Sequence, residues 1–209
     1  NLTSGTVLVK TDRRYKVLTV GDLFSVQQDQ TTGAQKSFSK VDGALANAVY
    51  LANLETVPVV AVATGHEEML ETNARAGFDK LLADNAFEVK EFNLLTEEIP
   101  ENAQLIFIGT PTTDYTKEEI AKISAFLNDE TSTVSRSLMV TNHPTQGKLP
   151  NLASFLEEWG LKVGEGVVIE SDAAKALSAN PSYIYASSTD SIFKDKSYSN
   201  LLAPYSSPI

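Results

Sequence analysis

Two hydrophobic periods divide the chain. Val41, Ala44, Leu45, Ala48, Val49 and Ala52 recur at three- and four-residue spacing, which predicts an amphipathic helix over 41–54. The stretch VPVVAVAT (57–64) does not alternate and is rich in valine, the pattern of a strand buried on both faces, as in a parallel sheet. Leu70, Ala74, Phe78 and Leu81 give the next helix face, running to about Asn85. FEVKEFNL (87–94) and the apolar AQLIFIGT (103–110) read as strands. Thr116 and Glu119 form a T-x-x-E capping box at the head of a helix whose buried stripe is Ile120, Ile123 and Leu127. SLMVTNH (137–143) is a strand. PNLASFLEEWG (150–160) is a short helix, started by Pro150 and stopped by Gly160. Trp159 follows the stripe Leu152, Phe155 and Leu156 and is expected in the core. KVGEGVVIE (162–170) is the last strand expected.

This alternation predicts an α/β fold of three layers with a mostly parallel sheet. The expected order places the strand at 57 between those at 87 and 104, with the strand at 137 outside the latter, the flavodoxin-like pattern. Upstream, TVLVKTDRRYKVLTVGDLFSV carries two short β-rich runs around a charged turn, an edge hairpin. SVQQDQTTGAQKSFS (25–39) is polar and reads as a loop or linker. The expected organisation is an N-terminal β-rich segment and polar loop (1–40), an α/β domain (41–170) and an irregular C-terminal extension (171–209). The chain opens on Asn1 and is expected to be a segment of a longer protein. Asn1-Leu2-Thr3 is a formal glycosylation sequon.

Composition narrows the function classes. Of 209 residues, 42% are hydrophobic and 21% charged, an ordinary globular balance. The net charge of -10 argues against nucleic acid or an anionic lipid surface as partner, since both call for clustered Lys and Arg. With no cysteine, thiolate metal sites, disulfides and a cysteine nucleophile are excluded. No apolar run approaches the ~20 residues of a membrane span.

Candidate chemistry gathers at predicted strand ends. Thr64, Gly65, His66 and Glu67 follow one strand, Thr110, Pro111 and Asp114 the next, and Asn142 and His143 a third. In open α/β sheets that edge is where ligands bind. Both histidines of the chain lie there. His66 can equally cap a helix or hydrogen-bond a neighbouring loop. Glu67 and Glu68 are expected in a first helical turn, complementing its dipole. No glycine-rich phosphate loop, nucleophile elbow or paired-histidine metal motif is present. No cofactor and no metal are expected, and the edge is expected to catalyse nothing. His66→Ala is accordingly expected to leave the fold nearly intact.

The segments VPVVAVATGHEE, FEVKEFNLLTEEIPENAQLIFIGTPTTDYTKEEIAKISAFL, SLMVTNH and LPNLASFLEEWGLKVGEGVVIE together resemble the extracytoplasmic auxiliary component of ABC transporters of the gliding-motility type. That family's pattern runs T-G-H-G-E, an N-L strand, an I-P lead-in, a G-P turn, a D-x-[ST]-x-E-E helix start and an L-x-x-x-G-I helix end. Here Glu67 stands where the pattern has Gly, and the strand-end turn reads Gly109-Thr110-Pro111. RRYKVLTVGDLFSV, VDGALANAVYLAN, NPSYIYA and LLAPYSSPI resemble the flanking parts, so the resemblance covers nearly the whole chain. It implies a degenerate class I glutamine-amidotransferase-like fold without catalytic residues. It also implies a place on the extracytoplasmic side of the bacterial cell membrane, anchored by helices outside this chain. The implied partners are an ABC permease and ATPase, and a cargo. The alternative is a small-molecule-binding or hydrolytic α/β enzyme using His66, Asp114 and His143.

Overall fold

The computed structural model describes residues 4–29, 33–70, 72–186 and 201–209. The sequon at Asn1 and parts of the 25–39 and 171–209 segments lie outside the described residues. The chain is α/β, with a four-stranded parallel sheet flanked by helices. Its strands are β5 (Val59–Thr64), β6 (Glu88–Asn93), β7 (Ala103–Gly109) and β8 (Ser137–Thr141), in the order β6-β5-β7-β8. This is the order the hydrophobic pattern predicts. The chain divides into two compact units: residues 1–63, 70–107 and 130–138, and residues 64–69, 108–129 and 139–209.

In the first unit, β5 and β7 pair in parallel, with Ala61 opposite Ile106 and Val62 opposite Phe107. Their lack of alternation is explained by burial on both faces, since Val59 to Ala63 and Ile106 to Phe107 are all buried. Val60, Val62 and Phe107 form one core cluster with Leu82 of α3 (Thr72–Asp84), and Phe78 packs against it, tilted on Phe107 at 4.8 Å. The buried face of α3 therefore runs through Phe78 and Leu82. Leu81, expected on that face, is 59% exposed, and Ala74 is exposed as well. The difference arises because α3 starts at Thr72, after a loop, so Leu70 meets the cluster from outside the helix.

The N-terminal hairpin pairs β1 (Val7–Lys10) with β2 (Tyr15–Leu18), closed at Thr11 and Arg14. A single turn of helix, α1 (Val20–Leu23), follows, and then α2 (Val41–Asn53). Leu18, Leu23 and Ala48 form a second core cluster, with Val9, Val41, Ala44 and Leu45 packed on it. Val49 falls outside this stripe at 50% exposure.

The 25–39 segment is not a loop. β3 (Phe24–Gln28) and β4 (Gln35–Ser39) form an antiparallel ribbon, turned through Asp29 and Gly33. Both strands are largely exposed, and beyond Phe24 and Val26 on one face and Phe38 on the other their side chains are polar, too little apolar alternation to mark a half-buried strand.

In the second unit, α4 (Lys117–Leu127) and α5 (Pro150–Glu158) bury Ile123, Phe126, Leu152, Phe155 and Leu156. Trp159 is 52% exposed, not in the core: it lies beyond the last helical turn and meets Phe155 only edge-on. The segment 162–170 forms no strand. Gly164 and Gly166 interrupt it, and it makes isolated bonds to the C-terminal segment, Gly164 N–H to Pro208 O and Val168 N–H to Ser206 O. The C-terminal region is more regular than its composition predicts. Two short 3-10 turns precede β9 (Tyr183–Ala186), which pairs antiparallel with β10 (Leu201–Pro204).

Candidate functional site

The carboxyl ends of β5, β7 and β8 lead to the loops singled out by the sequence, and all three loops belong to the second unit. Residues 65–70 are not helical, so Glu67 and Glu68 do not occupy a first helical turn as expected. The chain leaves β5 through Gly65 at φ 104°, and Glu67 also takes a left-handed backbone, at φ 53°. Only glycine adopts such angles without cost. Glu68 folds back so that its carboxylate accepts a hydrogen bond from the His66 amide at 3.1 Å.

This loop is sewn to the one after β7. The His66 carbonyl accepts from the amides of Thr112 (2.9 Å) and Thr113 (3.1 Å), and the Met69 amide donates to the Thr110 carbonyl (2.9 Å). The Thr112 hydroxyl donates to the Glu67 carbonyl at 3.0 Å. Thr110 is buried and sits at φ 52°, an outlier for a β-branched residue that also precedes proline. Its hydroxyl meets that of Thr141, at the end of β8, at 2.9 Å.

These bonds close over His66, which is 5% exposed. Its ring stacks on Tyr115, with centroids 3.8 Å apart and planes 16° from parallel. Its Nε2 lies 3.3 Å from Oε1 of Glu119, which is 2% exposed. The pair is within ion-pair distance, yet the approach lacks hydrogen-bond directionality, for Glu119 Oε1 has no hydrogen-bond partner. The other carboxylate oxygen, Oε2, accepts from the Thr116 amide (2.8 Å) and hydroxyl (2.9 Å). Glu119 thus closes the predicted capping box at the head of α4 and faces His66 at the same time. His66 Nδ1 and the Tyr115 hydroxyl are buried without hydrogen-bond partners. Burial raises the Tyr115 phenol well above its ordinary range, and the carboxylates of Glu68 and Glu119 push in the same direction.

The remaining candidates have other work. Asp114 accepts from the amides of Asn151 (2.9 Å) and Leu152 (3.2 Å), capping α5, whose own N-cap residue Leu149 has no capping side chain. His143 turns inward on its own loop, with Nδ1 2.8 Å from the Thr145 hydroxyl and its amide donating to the Gln146 side chain. The Gln146 amide in turn donates to the Pro111 carbonyl. Asn142 donates to Ser207 at 3.2 Å. The structure therefore brings His66 together with Tyr115 and Glu119, and shows no contact between His66 and either Asp114 or His143. No cluster of three or more His, Asp or Glu suited to a metal ion occurs among the described residues. The sequence reading missed Tyr115 and Glu119 as neighbours of His66. The available signal was the capping-box carboxylate, which starts the helix after the strand adjacent to β5.

His66 is consequently an interior residue, and the expectation that its removal leaves the fold nearly intact is revised. Its loss would empty a stacked ring position and take away the imidazole nitrogen that faces a buried carboxylate oxygen at 3.3 Å. Chemically, the arrangement stacks an imidazole on Tyr115, faces it with the Glu119 carboxylate and seals it.

No protein-family profile, no curated protein and no solved structure matches this chain.

Proposed function

We propose that this chain is a non-catalytic, extracytoplasmic domain of the auxiliary component of a gliding-motility-type ABC transport system. In this reading the domain docks with the permease and ATPase assembly or its cargo, and helices outside this chain anchor it to the membrane. The finer fold follows the same reading: a three-layer, flavodoxin-like or degenerate class I glutamine-amidotransferase-like domain.

The observation that carries the proposal is the meeting of two family-like motifs. His66 and Glu68 belong to the T-G-H-x-E stretch, while Asp114, Thr116 and Glu119 belong to D-x-T-x-E-E. The side chains of His66 and Glu119 meet in the interior, and Asp114 and Thr116 cap successive helices. The motif residues thus have architectural tasks that account for their types and spacing. A second point supports the reading. Glu67 departs from the pattern's glycine and has a left-handed backbone. Thr110, which precedes Pro111 where the G-P turn has glycine, is left-handed too. A backbone that asks for glycine at both positions fits descent from that pattern.

Burial supports the non-catalytic part. A general base needs hydrogen-bond reach to a substrate proton, and His66 is enclosed by Tyr115, Glu119 and the two loops.

The test is co-expression of the full-length protein with an ABC permease and ATPase pair from the same genome, followed by affinity purification in mild detergent. Stoichiometric recovery of all three is the expected result. Recovery of the tagged protein alone, together with turnover of an ester or amide panel that His66→Ala abolishes, would sink the proposal in favour of the hydrolytic alternative.

A further inference from the structure

A concave feature lies wholly in the first unit. It is a cavity of 380 Å³ whose walls come from β2, α1, the first half of α2 and the end of α3. Among the described residues three lysines line it, Lys16, Lys40 and Lys80, against two aspartates, Asp22 and Asp84. The cavity therefore carries one net positive charge in a chain whose net charge is -10.

The charges are unequally engaged. Lys80 Nζ donates to both carboxylate oxygens of Asp84, at 3.0 and 2.8 Å, and Lys40 Nζ donates to the Gly21 carbonyl at 2.9 Å. Asp22 accepts from the amide and hydroxyl of Thr19. These two bonds hold its carboxyl below the usual range, with Lys80 and Lys16 adding to the effect, as expected of groups sharing one cleft. Lys16 is half-buried, and its ammonium has no ion-pair or hydrogen-bond partner among the described residues. The same is true of the Asn47 amide on the α2 wall. Gly43, one turn before Asn47, leaves its part of that wall bare: a Cβ placed there would have nothing within 4 Å.

The lining selects a ligand class. Among the described residues Leu18 and Ala44 are its only apolar lining and no aromatic ring faces it, so neither a base nor a lipid chain finds a platform there. Ammonium, carboxylate and amide groups together match a compact molecule with one acid group and several hydroxyls. We propose that this cavity binds a small hydroxylated monoanion of the sugar-acid class. Lys16 receives the acid group, Asn47 and the two aspartates take hydroxyls, and Gly43 supplies the room. A single negative charge neutralises the cavity, and a dianion exceeds it.

Calorimetric titration of the chain with sodium glucuronate, glucose 6-phosphate and glucose tests this. Glucuronate is expected to saturate with Kd at or below about 1 mM, and glucose and the phosphate dianion to bind at least about tenfold more weakly. Lys16→Met is expected to weaken glucuronate about tenfold or more at an unchanged thermal midpoint, and Gly43→Gln to abolish binding by filling the cavity. Failure of glucuronate to saturate by about 10 mM would overturn the proposal. So would equal affinity for glucose, tighter binding of the phosphate, or unchanged glucuronate affinity in both variants.

Discussion

The interior around Phe107 and the interior around His66 are built on opposite principles. The first is an apolar cluster of Val60, Val62, Leu82 and Phe107, in which any side chain of the right shape and volume serves. The second packs an imidazole, a phenol and a carboxylate against one another and leaves three of their polar atoms without hydrogen-bond partners. Burial of apolar area stabilises the first without regard to direction. In the second, each polar group has lost water, and only some have recovered a partner. The first region should therefore be sensitive to volume, and the second to charge, tautomer and pH.

The largest effect expected is at the apolar end of the comparison. Phe107 is 2% exposed and in contact with Phe78. Phe107→Ala should cost about 3 to 5 kcal/mol, from lost transfer free energy and the cavity left behind. Chemical denaturation measures it directly. A loss under about 1 kcal/mol would mean that this cluster does not hold the sheet together.

At the polar end, removing either member of the His66–Glu119 contact should cost less than that but more than a surface change. His66→Ala removes the nitrogen facing Glu119 Oε1 and empties the stack on Tyr115, for about 2 to 3 kcal/mol. Glu119→Gln keeps an oxygen for the Thr116 capping bonds and should lose about half as much. If the two variants were equally destabilised, the carboxylate charge rather than the shape of the network would be what His66 answers to.

Tyr115 separates the two kinds of interior by pH. Its phenol is raised above an ordinary value of 10.0, so above that pH the unfolded chain releases a proton that the folded chain retains. The stability it contributes is complete below pH 10 and is lost as pH rises through the folded value. The slope from this group is about 1.4 kcal/mol per pH unit. Tyr115→Phe keeps the ring and removes a buried hydroxyl that has no partner. It should be neutral or slightly stabilising at pH 7 and should flatten the alkaline decline. Denaturant midpoints at pH 7 and pH 11 decide the matter, and parallel declines in both proteins would remove Tyr115 from the account.

How much of this was legible depended on the range of the interaction. β5 and β7 were readable because burial on both faces writes itself into consecutive residues, and the strand order followed from the alternation of elements. The Thr116–Glu119 capping box was readable because both partners lie within one turn. The contact of Glu119 with His66 spans distant parts of the chain, and nothing local requires a capping carboxylate to be buried. Asp114 was assigned to the wrong neighbour for a related reason. The absence of a capping side chain at Leu149 marked a helix start needing a distant acceptor, and Asp114 supplies it. The β3–β4 ribbon was invisible because it is exposed on both faces, leaving backbone hydrogen bonds as its main organisation.

The smallest effect expected concerns the backbone that carries His66 into its enclosure. Glu67 sits at φ 53°, where a Cβ crowds the neighbouring carbonyl, and its exposed side chain offers little in return beyond a 3.3 Å contact with the Thr112 hydroxyl. That hydroxyl already has the Glu67 carbonyl at 3.0 Å, which does not depend on side-chain identity. Replacement by glycine relieves the left-handed strain but adds freedom to the unfolded chain, and the two terms oppose each other. Left-handed strain is the larger for a residue other than asparagine or aspartate, so Glu67→Gly should raise stability by about 0.5 to 1 kcal/mol. Glu67→Ala keeps the Cβ and should leave stability within about 0.5 kcal/mol of the parent. Thermal midpoints of the two variants, measured side by side, isolate the backbone term from the loss of the carboxylate. A gain in both would place the effect in the charge, and a loss in Glu67→Gly would show that the loop around His66 is held by its side chains and not by its backbone.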